Sequence, residues 1–211
     1  MFWIPLAAFV LLSAAASVGL LHSTDAWVLS VVQSRASESL DTVAAIFSVP
    51  GTAEYAGAAM LVLVAALFIT GQRPLVWRLL VAFLATGALE FAMKLWLPQV
   101  PMPEETARST DPSPLVEVYY PYPYPSGHML RSVIVLGAVF VLWPNRLVRL
   151  AVLAVLFGVA ASRVYLGVHW VSDVIGGALL GVVGLAWAFR ARQPASTPPG
   201  FTSEGLSASK S

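Results

Sequence analysis

Long apolar runs broken by short polar stretches set the pattern of this chain. A bilayer core of about 30 Å takes roughly 20 apolar residues in helical form. Six segments reach or approach that length: roughly 3–21, 54–70, 75–97, 127–143, 148–165 and 169–188. The second and fourth are a little short, and the flanks Phe47–Val49 and Leu97–Pro98 leave room for their boundaries to shift. The pattern predicts an all-α, polytopic membrane protein, a bundle of six transmembrane helices. The first run ends in small residues, Ala14–Ala16, as a secretory signal does. No Lys or Arg precedes it, however, and it is longer than a signal core of about 7–15 residues, so it reads as a retained span.

Composition supports the bilayer. Of 211 residues, 58% are hydrophobic and only 11% charged, against about 25% charged in an ordinary globular domain. So few charges do not cover a soluble surface. The chain has no cysteine, which excludes a disulfide, a thiolate nucleophile and a Cys-based metal site. A net charge of +1 gives no argument for a nucleic-acid partner. There is no internal repeat.

Charge also sets the orientation. Arg73, Arg78, Arg146, Arg149, Arg190, Arg192 and Lys210 fall in the loops 71–78 and 144–149 and in the tail, whereas the opposite loops, 22–53 and 98–125, hold just Arg35 and Arg108. The positive-inside rule places the first set, with both termini, in the cytoplasm of a cell-membrane protein. The tryptophans fall at alternate span ends as an interfacial belt requires: Trp3, Trp77, Trp143 and Trp187 inside, Trp27, Trp96 and Trp170 outside. Residues 22–53 form an external connection with a short surface helix around Thr24–Ser34. Residues 98–125 form a second one, where prolines prevent regular helix. The Ser/Thr/Pro/Gly-rich residues 193–211 read as a disordered cytoplasmic tail on a membrane domain of residues 1–192.

Lys94, Arg131 and Arg163 belong to neither class of loop. They sit near the outer ends of the third, fourth and fifth spans, at the level of His128, His169 and Asp173 on the fourth and sixth. An ionisable group within a span costs about 2.5–3.5 kcal/mol at mid-helix, so such groups mark function. Six of them from four helices converge at one end of the bundle.

Their spacing suggests the chemistry. His169 and Asp173, four apart, share a helix face. The carboxylate can accept from one ring nitrogen and leave the other lone pair to attack or abstract, although such a pair can also serve only to satisfy itself in a polar core. In Pro125-Ser126-Gly127-His128, Pro ends what precedes it, Ser is a good N-cap, and Gly lets a ligand approach the backbone. The unpaired N–H groups of a helix N-terminus form an anion site, with His128 one turn in; an ordinary cap with an interfacial His is the plainer reading. Lys94 and Arg163 add cations, Arg able to hold two phosphate oxygens at once. Glu90, four before Lys94, offers that lysine an ion pair along the helix, and Ser162 beside Arg163 can cap or donate.

Together these residues resemble the signature of the type 2 phosphatidic acid phosphatase (PAP2) superfamily of membrane lipid phosphatases. Two of its three parts stand complete, as Pro125-Ser126-Gly127-His128 and as Ser162-Arg163-Val-Tyr-Leu-Gly-Val-His169-Trp-Val-Ser-Asp173. The first part departs: after Lys94 the family's Arg falls at Pro101, or at Met102 with a one-residue slip, and neither binds phosphate. Arg131, one turn after His128, or Arg108 in the loop stands as a replacement; the alternative for Arg131 is a pairing with Glu90 or a backbone carbonyl that never meets substrate. The resemblance implies a metal-independent hydrolase without cofactors. In it His169 is the nucleophile that becomes phosphohistidine, Asp173 its partner, His128 the general acid, and Lys94, Ser126, Gly127 and Arg163 hold the phosphate. The implied substrate is a lipid phosphate or diphosphate at the outer face, with undecaprenyl diphosphate favoured over phosphatidic acid and phosphatidylglycerol phosphate. A phosphotransferase using the same intermediate and a non-catalytic lipid-phosphate binder are the rival readings. Oligomeric state is not legible.

Overall fold

The computed structural model describes residues 2–108 and 120–190, which form eight α-helices and no strand. The expected tail, with Arg192 and Lys210, lies outside the described residues, as does the middle of the Pro/Tyr-rich loop. The helices are α1 (Trp3–Ser17), α2 (His22–Gln33), α3 (Glu38–Ser48), α4 (Ala53–Ile69), α5 (Arg73–Trp96), α6 (Gly127–Leu142), α7 (Arg146–Tyr165) and α8 (Val171–Phe189).

Six of these, α1 and α4–α8, fall on the six expected spans. Helices α5, α7 and α8 are long and apolar enough to cross a membrane alone. Helix α1 qualifies only together with α2, bent from it by 89°, and α4 only with the α3 segment, bent by 47°. Helix α6 is shorter, at 16 residues. The anticipated surface helix is α2. Helix α3 was not anticipated, because it is a short amphipathic segment in a stretch that reads as a loop.

Local signals start several helices. Ser37 Oγ accepts from Leu40 N ahead of α3, Thr52 Oγ1 from Tyr55 N ahead of α4, and Asn145 Oδ1 from Leu147 N and Val148 N ahead of α7. Each satisfies donors that the first turn leaves open. The main core gathers Met60, Leu63, Leu67, Leu79, Leu130, Ile134 and Leu180 from α4, α5, α6 and α8. Outward, Ile69, Leu84, Leu147 and Phe157 are 84%, 68%, 76% and 77% exposed. That is a lipid-facing surface, so the fold is a polytopic membrane bundle.

Trp170 departs from the expected belt. It is buried, and its Nε1 donates to the Val100 carbonyl at 2.8 Å, so the indole pins the loop after α5 instead of sitting at the interface.

A polar clamp fastens that loop again at Arg108. Arg108 pairs with Asp41 of α3 through two bonds, Nε to Oδ1 at 2.5 Å and Nη2 to Oδ2 at 2.7 Å, and the Tyr165 hydroxyl donates to Asp41 at 2.6 Å. The Arg108 guanidinium, and next the Tyr165 hydroxyl, hold the Asp41 carboxyl below its ordinary value. A carboxyl depressed on folding stabilises the fold above its unfolded value of about 3.9, and that contribution is lost as pH falls through the folded value. The melting temperature is therefore expected to drop between pH 5 and pH 3 more in the wild type than in Asp41→Asn. Parallel curves for the two proteins would exclude the clamp as a source of acid sensitivity.

Candidate active site

Four helix ends meet at one end of the bundle: the C-termini of α5 and α7 and the N-termini of α6 and α8. The last two are joined through their backbones, since Ser126 N donates to the Asp173 carbonyl at 2.9 Å. Gly177 on α8 permits that approach, because a Cβ there would meet the Ser126 carbonyl carbon at 3.1 Å and Leu130 N at 3.3 Å.

Ser126 occupies the N-cap position of α6, as expected, with extended backbone. Its hydroxyl makes no capping bond. Oγ is buried without a partner among the described residues, and so is Nε2 of His128. Buried polar atoms are satisfied in the great majority of cases, so two orphans at one helix N-terminus mark a place for a polar ligand. Gly127 between them admits no side chain: a Cβ would lie 2.7 Å from the Glu90 carboxyl carbon and 2.9 Å from Arg131 Nη1. His128 is held from the far side by the turn Val49–Gly51, where a Cβ on Gly51 would come 2.7 Å from the His128 Cβ.

His169 lies just ahead of α8, and its Nδ1 is 3.2 Å from Oδ2 of Asp173. Asp173 is fully buried; Oδ2 also accepts from Trp170 N at 2.9 Å and Oδ1 from Gln99 Nε2 at 2.7 Å. A carboxylate so placed selects the tautomer protonated at Nδ1, which puts the lone pair on Nε2. Arg163, 3% exposed at the end of α7, donates from Nη1 to Ser48 Oγ at 2.5 Å. Its neighbour Ser162 turns inward and donates to the Val159 carbonyl.

Lys94 and Arg131 share one carboxylate. Glu90 takes Lys94 Nζ on Oε1 at 3.0 Å and Arg131 Nη1 on Oε2 at 3.2 Å, and Arg131 Nε donates to the Gly51 carbonyl at 3.1 Å. The Tyr120 ring lies 4.7 Å from Lys94 Nζ. The fold thus brings Lys94, Ser126, Gly127, His128, Arg131, Arg163, His169 and Asp173 to one end of the bundle. His128 there lies within reach of the charges of Arg163, Arg131 and Lys94. Arg108 is elsewhere, in the Asp41 clamp. Pro101 and Met102 sit in the loop over α8, Met102 packed in the cluster around Trp170.

Sequence reasoning missed Ser48, Gly51, Gln99 and Asp25. The last accepts from both the amide and the hydroxyl of Ser172, beside Asp173, at 2.9 and 2.7 Å. Gln99 alone carried a signal, as a polar residue inside Pro98-Gln99-Val100-Pro101. Among the described residues, no three His, Asp or Glu side chains converge as a metal site.

Residues 75–196 match the PAP2 superfamily. Among solved structures, the chain resembles a PAP2-type phosphatidylglycerolphosphate phosphatase from Bacillus subtilis, with a TM-score of 0.72 at 22% identity over 92% of this chain and 97% of that one. It also resembles Aquifex aeolicus LpxE, with a TM-score of 0.56 at 22% identity over 77% and 93% of the respective chains. The chain matches none of the curated proteins.

Proposed function

The chain belongs to the PAP2 superfamily, and on that footing we propose that it hydrolyses the terminal phosphate of a lipid through a phosphohistidine on His169. The observation that carries the reading is the pair of orphaned polar atoms, Ser126 Oγ and His128 Nε2, at the α6 N-terminus, which is hydrogen-bonded to the first turn of α8 at Asp173, the partner of His169.

In this reading His169 Nε2 attacks phosphorus while the bond to the leaving oxygen breaks. His128 gives that oxygen its proton, so the lipid departs as an alcohol or, from a diphosphate, as a monophosphate. Asp173 stabilises the imidazolium. In the second step His128 takes a proton from water as the water attacks the phosphohistidine, returning His169 and releasing inorganic phosphate. Lys94, Arg163, the Ser126 hydroxyl and the Gly127 amide hold the phosphoryl oxygens, where placement and charge supply most of the catalysis of phosphoryl transfer. No step draws on a metal. The positive-inside distribution of Arg and Lys supports a site at the outer face of the cell membrane, with both termini in the cytoplasm. An outward site suits a polyprenyl diphosphate recycled on that side, ahead of phosphatidic acid and phosphatidylglycerol phosphate. A panel of these three lipids with the detergent-solubilised protein tests the reading by phosphate release. Release from none of them, with the protein folded, rejects it.

The cation that the motif lacks at Pro101 and Met102 is assigned to Arg131, steadied by Glu90 and the Gly51 carbonyl. Arg131→Ala is expected to lower phosphate release. It also removes one of the two cations on Glu90, so stability should fall by about 1–3 kcal/mol. Adding Met102→Arg should restore part of the activity. Lost stability with no recovered activity would make Arg131 a strut and nothing more.

A further inference from the structure

The Asp173 carboxylate has donors on both oxygens, and the shortest of its bonds, 2.7 Å from Gln99 Nε2 to Oδ1, comes from a loop 74 residues away. The donors on Oδ2, Trp170 N and His169 Nδ1, are local to α8. Donors on one oxygen alone leave the carboxylate plane able to swing about its last side-chain torsion, which is a broad, soft one. A donor on the second oxygen fixes that plane, and with it the direction in which His169 is held. Gln99 is itself fixed, because the next residue's carbonyl accepts from the buried Trp170 indole.

Beneath the amide, Asp25 of α2 holds Ser172 by two bonds, and Ser172 Oγ lies 3.4 Å from Gln99 Nε2. A pocket of about 10 Å³ lined by His22, Asp25, Gln99 and Trp170 adjoins it, with room for one water. Gln99 Oε1 is buried without a partner among the described residues, an acceptor such a water would satisfy. The titratable and charged groups around Gln99 are thus Asp173 and His169 at the start of α8 and Asp25 and His22 on α2, with the charge of Lys94 on α5 also acting on Asp173.

We propose that Gln99 is a positioning residue for the His169–Asp173 pair, an uncharged donor reaching the carboxylate from the loop after α5, on a floor made by Asp25 and Ser172. The inference rests on the reading of His169 as nucleophile.

The chemistry of the amide gives the test. Gln99→Met keeps the shape and removes the donor. Its kcat is expected to fall about 10–100-fold, the scale at which metal sites respond to losing the hydrogen-bond partner of a ligating side chain, with KM within about twofold because no substrate contact is removed. Gln99→Glu keeps shape and reach but presents a second carboxylate to Asp173 when ionised and a donating O–H when protonated. Its kcat relative to wild type should therefore climb as pH is lowered from 8 to 5, whereas that of Gln99→Met stays level. Melting temperatures are followed in parallel. An unchanged kcat in Gln99→Met, a deficit confined to KM, or a Gln99→Glu deficit independent of pH overturns the inference, and so does loss of the fold in both variants. A wild type that releases no phosphate overturns the reading of the site instead.

Discussion

His169→Ala is expected to remove phosphate release, on the order of 10⁶-fold, the loss seen when the nucleophile of a covalent mechanism is deleted. The imidazole has no substitute nearby. His128 belongs to the other helix and the other role, and water attacking directly would lack both the near-attack placement and the imidazolium that Asp173 stabilises. Asp173→Asn keeps the shape and most of the hydrogen bonds, yet its amide offers the imidazole the wrong polarity on one edge. Its loss should be smaller, about 10²–10⁴-fold. The check is a single-turnover experiment with labelled lipid phosphate: wild type gives an acid-labile, base-stable phosphoprotein that decays with phosphate release. Label retained by His169→Ala, or release from it above background, would falsify the assignment.

The second large effect is selective. His128→Ala should lose about 10²–10⁴-fold on a lipid phosphate, whose alkoxide leaves poorly without a proton. On an activated aryl phosphate the leaving group is already stable, and slow turnover should survive. The orphaned Nε2 of His128, at the mouth of the α6 N-terminus, is the structural basis of the claim. A plot of rate against leaving-group pKa would be steeper for His128→Ala than for wild type. Equal and complete loss on both substrates contradicts the division of labour between the two histidines.

How much of this was legible in the sequence depended on the range over which each signal acts. Apolar helices are local: enough consecutive apolar residues must leave water together, so α1 and α4–α8 were readable as helices within a few residues, although only α5, α7 and α8 are long and apolar enough to cross alone. Helix α3 was not readable, because its apolar positions, Leu40, Val43, Ala44, Ala45, Ile46 and Phe47, are too few to signal a span and are followed by Pro50. The ionisable groups stood out because a bilayer makes such groups expensive in isolation. Gln99, Asp25 and Ser48 are polar residues in or near loops, where polarity means nothing until a partner arrives. Their partners lie 74, 147 and 115 residues away. Trp170 shows the converse failure. An indole at a span end is usually interfacial, but this one found a buried carbonyl. Lys94 and Glu90 were visible as a pair at helical spacing, and so was a pairing of Arg131 with Glu90 or a backbone carbonyl; that one carboxylate holds both cations at once emerges only with α5 and α6 side by side.

The backbone bond between Ser126 and Asp173 bears on biogenesis. The proposed nucleophile enters the bilayer with α8, the last helix described, and the proposed seat for the phosphate lies on α6, two helices earlier in synthesis. Asp25, which steadies the first turn of α8, is made earlier still, on α2. Until α8 docks, the inserted portion of the chain carries a phosphate cradle with no group able to attack, and a nascent chain stalled before residue 169 should be catalytically silent though already in the membrane. Activity should then switch on in one step with docking of the last helix, rather than accumulate as helices are added.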